Sequence, residues 1–215
     1  MSDREPVDIM GVIAFPNPNK DERVIRFIDS EYHTLFTIKD GESIVITRFD
    51  GEKMVFPCKY IDDCHVCIGN SAYHICEFAE MQERNGNTYV PSAPKISDEI
   101  CTYEIYQIPA TADVDYYFRS YETAKGKLRS ADYQRSYAGM YAKGNSLEDL
   151  WAKHNRDSRP FAHRMRSLSV SDIVVLTQGG KKTAYYADTI GFKEVPEFLA
   201  QQRVQKKHKE RGEAR

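Results

Sequence analysis

The densest run of potential chemistry is CKYIDDCHVCIGNSAYHIC, which places Cys58, Cys64, His65, Cys67, His74 and Cys76 within nineteen residues. Thiolates and imidazole nitrogens are the donors that zinc takes in fours, so two pieces of chain meeting at a turn could close a tetrahedral site. Cys64-x-x-Cys67 and His74-x-Cys76 are short enough to chelate, yet no second C-x-x-C pair of the finger type accompanies them. If residues 72–84 form a helix, His74 and Cys76 point ~200° apart around its axis, and both cannot face one ion unless the first turn unwinds. The reading adopted is that Cys58, Cys67 and Cys76 are small core residues and the histidines are partly exposed, with zinc kept as an alternative cofactor.

Cys64 beside His65, with Asp62 and Asp63 close by, raises the question of a cysteine nucleophile. Sequence neighbours on a strand face opposite ways, so the adjacency is not a dyad. His154 and His163 could supply a distant base, but nothing in the sequence orients them. Ser167, Ser169, Ser171 and Asp172 make a hydroxyl-rich run without the glycine-rich loop or lysine of a phosphate site, and they read as turn formers. No catalytic or cofactor-binding residue is expected. Tyr103, Tyr106, Tyr116, Tyr117, Tyr121, Tyr133, Tyr137, Tyr141, Tyr185 and Tyr186, with Arg119, Arg129 and Arg135 near in sequence, could form a stacking surface for bases, although alternation turns half of the rings to the core.

Composition narrows the classes. The chain has 215 residues and a net charge of −2, which fits neither a surface devoted to polyanions nor an acidic mimic of DNA. No apolar run approaches the ~20 residues a spanning helix needs. The opening MSDREPVDIMGVIAF sets acids ahead of a short apolar stretch, the reverse of a secretory signal, so the protein is expected to be cytoplasmic. Five cysteines then read as reduced thiols, not as a disulfide framework.

Residues 1–21 read as a partly ordered leader. From 22 to 88 the alternating segments 23–29, 34–38, 43–49 and 53–60, separated by Asp40-Gly41 and Asp50-Gly51, predict an antiparallel meander. One helix, capped by Ser71 and stopped at Asn85-Gly86, is expected to pack on it through Ile75, Phe78, Ala79 and Gln82. Residues 89–100, with two prolines and small polar residues, predict a linker. Beyond it, residues 101–200 predict strands at 102–108, 133–141, 173–176 and 183–188. Helices are expected within 113–128 on Phe118, Tyr121 and Leu128, from Ser146, and from Val195, and a charged tail follows at 201–215. The fold class is α+β, as two small domains.

The second half resembles the YodL-like domain through YEIYQI at 103–108, the segment 133–150 ending in SLEDL, and above all SLSVSDIVVL followed by AYYADTIGFKEVPEFL. The first half is similar to a module found beside such domains, through TLFTIKDGESIVIT, PCKYIDDCHVCIGN and YHICEFAEMQERNG. The resemblance implies a setting in mobile or conjugative elements of gut Firmicutes and assigns no catalytic residue. The function expected is a non-enzymatic binding or regulatory accessory acting through a protein partner. Nucleic-acid binding in element transfer or defence evasion is the alternative, and a zinc- or cysteine-dependent enzyme the second alternative. No membrane partner is expected.

Overall fold

The computed structural model describes residues 7–9, 12–14, 23–93 and 100–213, with side chains over 23–93 and 100–206. Strands β1 (Val7–Ile9) and β2 (Val12–Ala14) pair antiparallel inside the expected leader; the rest of that leader lies outside the described residues.

The first half follows the two-residue alternation of its sequence. Strands β3 (Val24–Ile28) and β4 (Thr34–Lys39) form a hairpin. Strands β5 (Ser43–Thr47) and β6 (Lys53–Tyr60) are followed by a second hairpin, β7 (His65–Ile68) and β8 (Ser71–His74). Helix α1 (Ile75–Asn85) and strand β9 (Thr88–Pro91) complete the unit, whose antiparallel sheet has the order β8-β7-β6-β5-β9. Ser71 is therefore a strand residue, and His74 caps the helix by accepting the Cys76 N–H at 3.3 Å. Strand β9 starts at the edge of the stretch read as a linker, of which residues 94–99 lie outside the described residues.

Ile75, Phe78, Ala79 and Gln82 are the buried face of α1, as their spacing requires. Phe78 meets Phe27 and Tyr89 at centroid distances of 5.8 and 5.0 Å, and Phe27 stacks on Phe36 at 5.0 Å. Phe78 is 1 % exposed, so replacing it by Ala should cost ~3–5 kcal/mol through lost burial and the cavity left behind.

The second half contains strands β10 (Cys101–Gln107), β11 (Gln134–Tyr141), β12 (Ile173–Gln178), β13 (Lys181–Ala187) and β14 (Phe192–Glu194) in the antiparallel order β11-β10-β12-β13-β14. Its faces are covered on both sides. Ile173, Val175, Tyr186 and Phe198 pack on one face with helix α4 (Pro196–Glu213). Tyr103, Tyr137, Leu150 and Val174 pack on the other with helix α3 (Leu147–His154). Helix α3 starts in the expected capping box, where Ser146 Oγ accepts the Asp149 N–H and Asp149 accepts the Ser146 N–H. Helix α4 carries on through most of the segment read as a charged tail.

The helix expected within 113–128 shrinks to the single turn α2 (Tyr121–Ala124). Phe118 has a left-handed backbone, φ 56°, which no continuing right-handed helix tolerates. The whole is a mixed, strand-rich architecture with four α-helices among the described residues, consistent with an α+β class. No described helix is long and apolar enough to cross a membrane.

Candidate functional site

Strand β10 ends, β12 begins and β13 ends at the same side of the second sheet, so the loops 108–120, 166–172 and 188–191 gather there. Asp172, one residue ahead of β12, is fully buried. Its Oδ2 accepts from Arg166 Nη1 at 2.8 Å, from Gln107 Nε2 at 2.9 Å and from the Ser169 N–H at 2.9 Å, while Oδ1 accepts from Arg166 Nη2. Burial pushes its carboxyl up to about 6, against the pull of the Arg166 charge and the Gln107 and Ser169 hydrogen bonds.

Ser171 ties the loops together. Its N–H donates to the Ala187 carbonyl at 3.0 Å, its carbonyl accepts from Tyr133 Oη at 3.0 Å, and its Oγ accepts from the Phe118 N–H at 3.0 Å. The Tyr121 N–H donates to Asp188 Oδ1 at 3.0 Å, and Tyr186 Oη to the Arg119 carbonyl at 2.8 Å, so segment 118–121 is laced along the end of β13. On this frame Tyr117 and Phe118 stack at a centroid distance of 4.0 Å and an interplanar angle of 21°. The Arg166 guanidinium lies 5.6 and 4.9 Å from their centroids. Phe118 is nonetheless 49 % exposed, and Ile190 in the neighbouring turn is 87 % exposed. The arrangement presents apolar ring surface with an arginine whose charge is already matched by Asp172. The serine and aspartate run was read as local turn chemistry; its long-range role depends on Phe118 and Gln107, which sequence spacing cannot connect to it.

The Cys/His run is spread over a hairpin instead. Opposite residues in an antiparallel pair share a face, so Cys58 with Ile68 points inward and Cys67 with Lys59 outward. Cys58 is buried, and burial raises its thiol to about 11; Cys67 and Cys76 are half-buried and Cys64 is exposed. His65 and His74 face each other across β7 and β8 with ring centroids 5.1 Å apart. His65 Nδ1 is held 2.8 Å from Asp62 Oδ1, and His74 Nδ1 is the α1 cap. No three of Cys58, Cys64, His65, Cys67, His74 and Cys76 bring ligand atoms together. Among the described residues the one group of three within 4.8 Å is Asp29, Glu31 and His33, in the turn between β3 and β4. The D-x-E-x-H spacing at that turn is a signal the sequence reading passed over. Its atoms are already engaged: Asp29 accepts from the Glu31 and His33 N–H groups and lies 3.0 Å from His33 Nδ1, and Glu31 pairs with Arg156.

His154 is fully buried, with Nε2 2.8 Å from Tyr103 Oη and Nδ1 without a partner. Burial, then the Lys153 and Arg159 charges, push its pKa down to about 3, so the ring is neutral in ordinary buffers. His163 is exposed and packs edge-on against Phe161 at 5.1 Å. Neither histidine has a cysteine among its hydrogen-bond partners.

No curated protein and no solved structure matches the chain. A family model does, over residues 102–198, a span that runs from β10 to the first turn of α4 and contains the whole Asp172 loop cluster. That part of the chain is a YodL-like domain.

Proposed function

We propose that this protein is a non-enzymatic binding or regulatory accessory that acts through protein contacts made by the loop end of its YodL-like domain. The observation that carries the reading is Phe118: half-exposed, held in a left-handed backbone conformation, and stacked with Tyr117 under Arg166. A large apolar ring kept at the surface at a conformational cost is better accounted for by binding than by stability. Aromatic and arginine side chains around an apolar centre are also the composition of contact hot spots. Asp172 pairs with Arg166, so the arginine over the two rings is not a free cation for phosphate recognition.

The same proposal takes the chain as two small domains, with the first half a module that accompanies the YodL-like domain, and takes the protein as a cytoplasmic accessory of a mobile element. The support for that setting is the resemblance of its segments.

The test pairs an affinity capture from nuclease-treated host lysate with mobility-shift titrations on single- and double-stranded DNA and on RNA at low and moderate salt. The expected result is a salt-tolerant protein partner that Phe118→Ser and Ile190→Ser both lose while remaining folded. Tight, salt-steep nucleic-acid binding beside an empty capture would replace this reading with the nucleic-acid one.

A further inference from the structure

The two halves meet at the edges of their sheets. Strand β9 is one edge of the first sheet and β11 one edge of the second, and the two lie against each other without ladder pairing. Residues 137–142, the last five of β11 and the one that follows, are all buried. Met140 and Ala142 belong to the apolar core of the first half, and Phe49 of the first half packs into a core of the second, 5.1 Å from the Phe161 ring. Arg135 lies 5.1 Å over Phe49 and donates to its carbonyl.

Glu83, in the last turn of α1, is the polar centre of this contact. Its Oε1 accepts from Lys153 Nζ at 2.8 Å and from the Ser30 N–H at 3.1 Å, its Oε2 from Ser30 Oγ at 2.8 Å, and its carbonyl from Tyr137 Oη at 3.2 Å. The Lys153 and Glu83 side chains are only 9 % and 13 % exposed. Gly86 ends α1 with φ 62°, and a Cβ there would stand 3.4 and 3.5 Å from Phe49 and Phe161, so the helix terminus is seated directly on the two rings.

We infer that residues 23–93 are the constitutive binding partner of the YodL-like domain, an intramolecular subunit whose α1 terminus and β9 edge cover β11, held by this interface and not by the segment that joins them. Two physical reasons converge. An uncovered apolar edge strand pairs with other chains, and β11 has its cover here. A buried lysine deprived of its carboxylate is far costlier than a lost surface pair, so Lys153 binds the second half to Glu83 specifically.

The test replaces residues 94–99 of the full chain by a protease recognition sequence and cuts the folded protein. The expected result is that both pieces elute together at the mass of the uncut chain, with unchanged circular dichroism, and separate only in denaturant. Lys153→Met should weaken the association of the cut pieces ~100-fold. Phe49→Ser, in a loop and gentler on folding, should weaken it ~10-fold, and Lys59→Met on the far side of the first sheet should leave it unchanged. Pieces that separate or precipitate on cutting, or an association indifferent to both Lys153→Met and Phe49→Ser, would overturn the inference.

Discussion

The backbone N–H of Phe118 donates to Ser171 Oγ at 3.0 Å, and both residues hold left-handed backbone, with φ of 56° and 78°. Two conformations that L-residues avoid are thus locked to each other by one hydrogen bond, at the point where the loops of the YodL-like domain converge. Neither residue would keep its conformation cheaply without the other.

Ser171→Ala retains the strained φ and leaves the Phe118 N–H unpaired, which should destabilise the protein by about 1–3 kcal/mol. Ser171→Gly loses the same bond but releases the backbone penalty, so it should recover about 1 kcal/mol of that loss. Denaturant unfolding of the two variants decides the point, and a glycine variant no more stable than the alanine one would show that the strain is not significant.

Asp172 gives a pH dependence of defined sign. Its folded-state carboxyl is pushed up to about 6, above its ordinary value, so the folded state holds the proton more tightly than the unfolded chain. Stability from this group is fully present below about pH 3.8 and is lost as pH rises through 6, by about 3 kcal/mol in all, and is level above about pH 7. Unfolding free energies measured across this range should lose that component in Asp172→Asn.

His154 acts in the opposite direction. With its folded-state pKa pushed down to about 3, protonation favours the unfolded chain. Its contribution is complete above pH 6.5 and is lost as pH falls toward 3, by roughly 5 kcal/mol in all. His154→Gln should therefore unfold less steeply in acid than the parent, relative to each protein's own stability at pH 7. An unchanged acid limb would mean that the buried ring is protonated without penalty.

The cysteines should separate by reactivity. Cys64 is exposed and should react first with a thiol reagent, Cys67 and Cys76 more slowly, and Cys58 and Cys101 only on unfolding, since burial raises both of their thiols. Elemental analysis of protein purified without chelator should find zinc well below stoichiometric. A full equivalent, released by Cys64→Ser, would restore the metal reading of the first half.

What could be read from the sequence was local. The stripe Ile75, Phe78, Ala79 and Gln82 and the stop at Gly86 depend on neighbours within a turn or two, as does the capping box at Ser146, and each lies where its spacing puts it. The 113–128 segment misled because Phe118, Tyr121 and Leu128 have helical spacing, whereas Phe118 is exposed, Tyr121 half-buried and Leu128 buried along an irregular path that turns left-handed at Phe118. The hairpin of β7 and β8 hid inside a run whose cysteines and histidines suggested ligands, when their alternation was that of two short strands. The burial of Asp172 was not legible, because a carboxylate belongs at the surface until its own loop folds Arg166 back onto it, six residues away, and Gln107 arrives from β10, 65 residues away. The Glu83 contacts join residues 53 to 70 positions apart and leave no periodic trace.

The order of the halves along the chain carries a consequence for how the protein is made. Translation delivers residues 23–93 before β11 exists, and domains generally fold as units with the N-terminal one first. The α1 terminus with Glu83 and the β9 edge can therefore be waiting when Tyr137 to Ala142 leave the ribosome. A strand that would be adhesive if born alone emerges directly opposite its cover. Reversing the two halves by circular permutation would keep every contact of the finished molecule and remove that protection during synthesis.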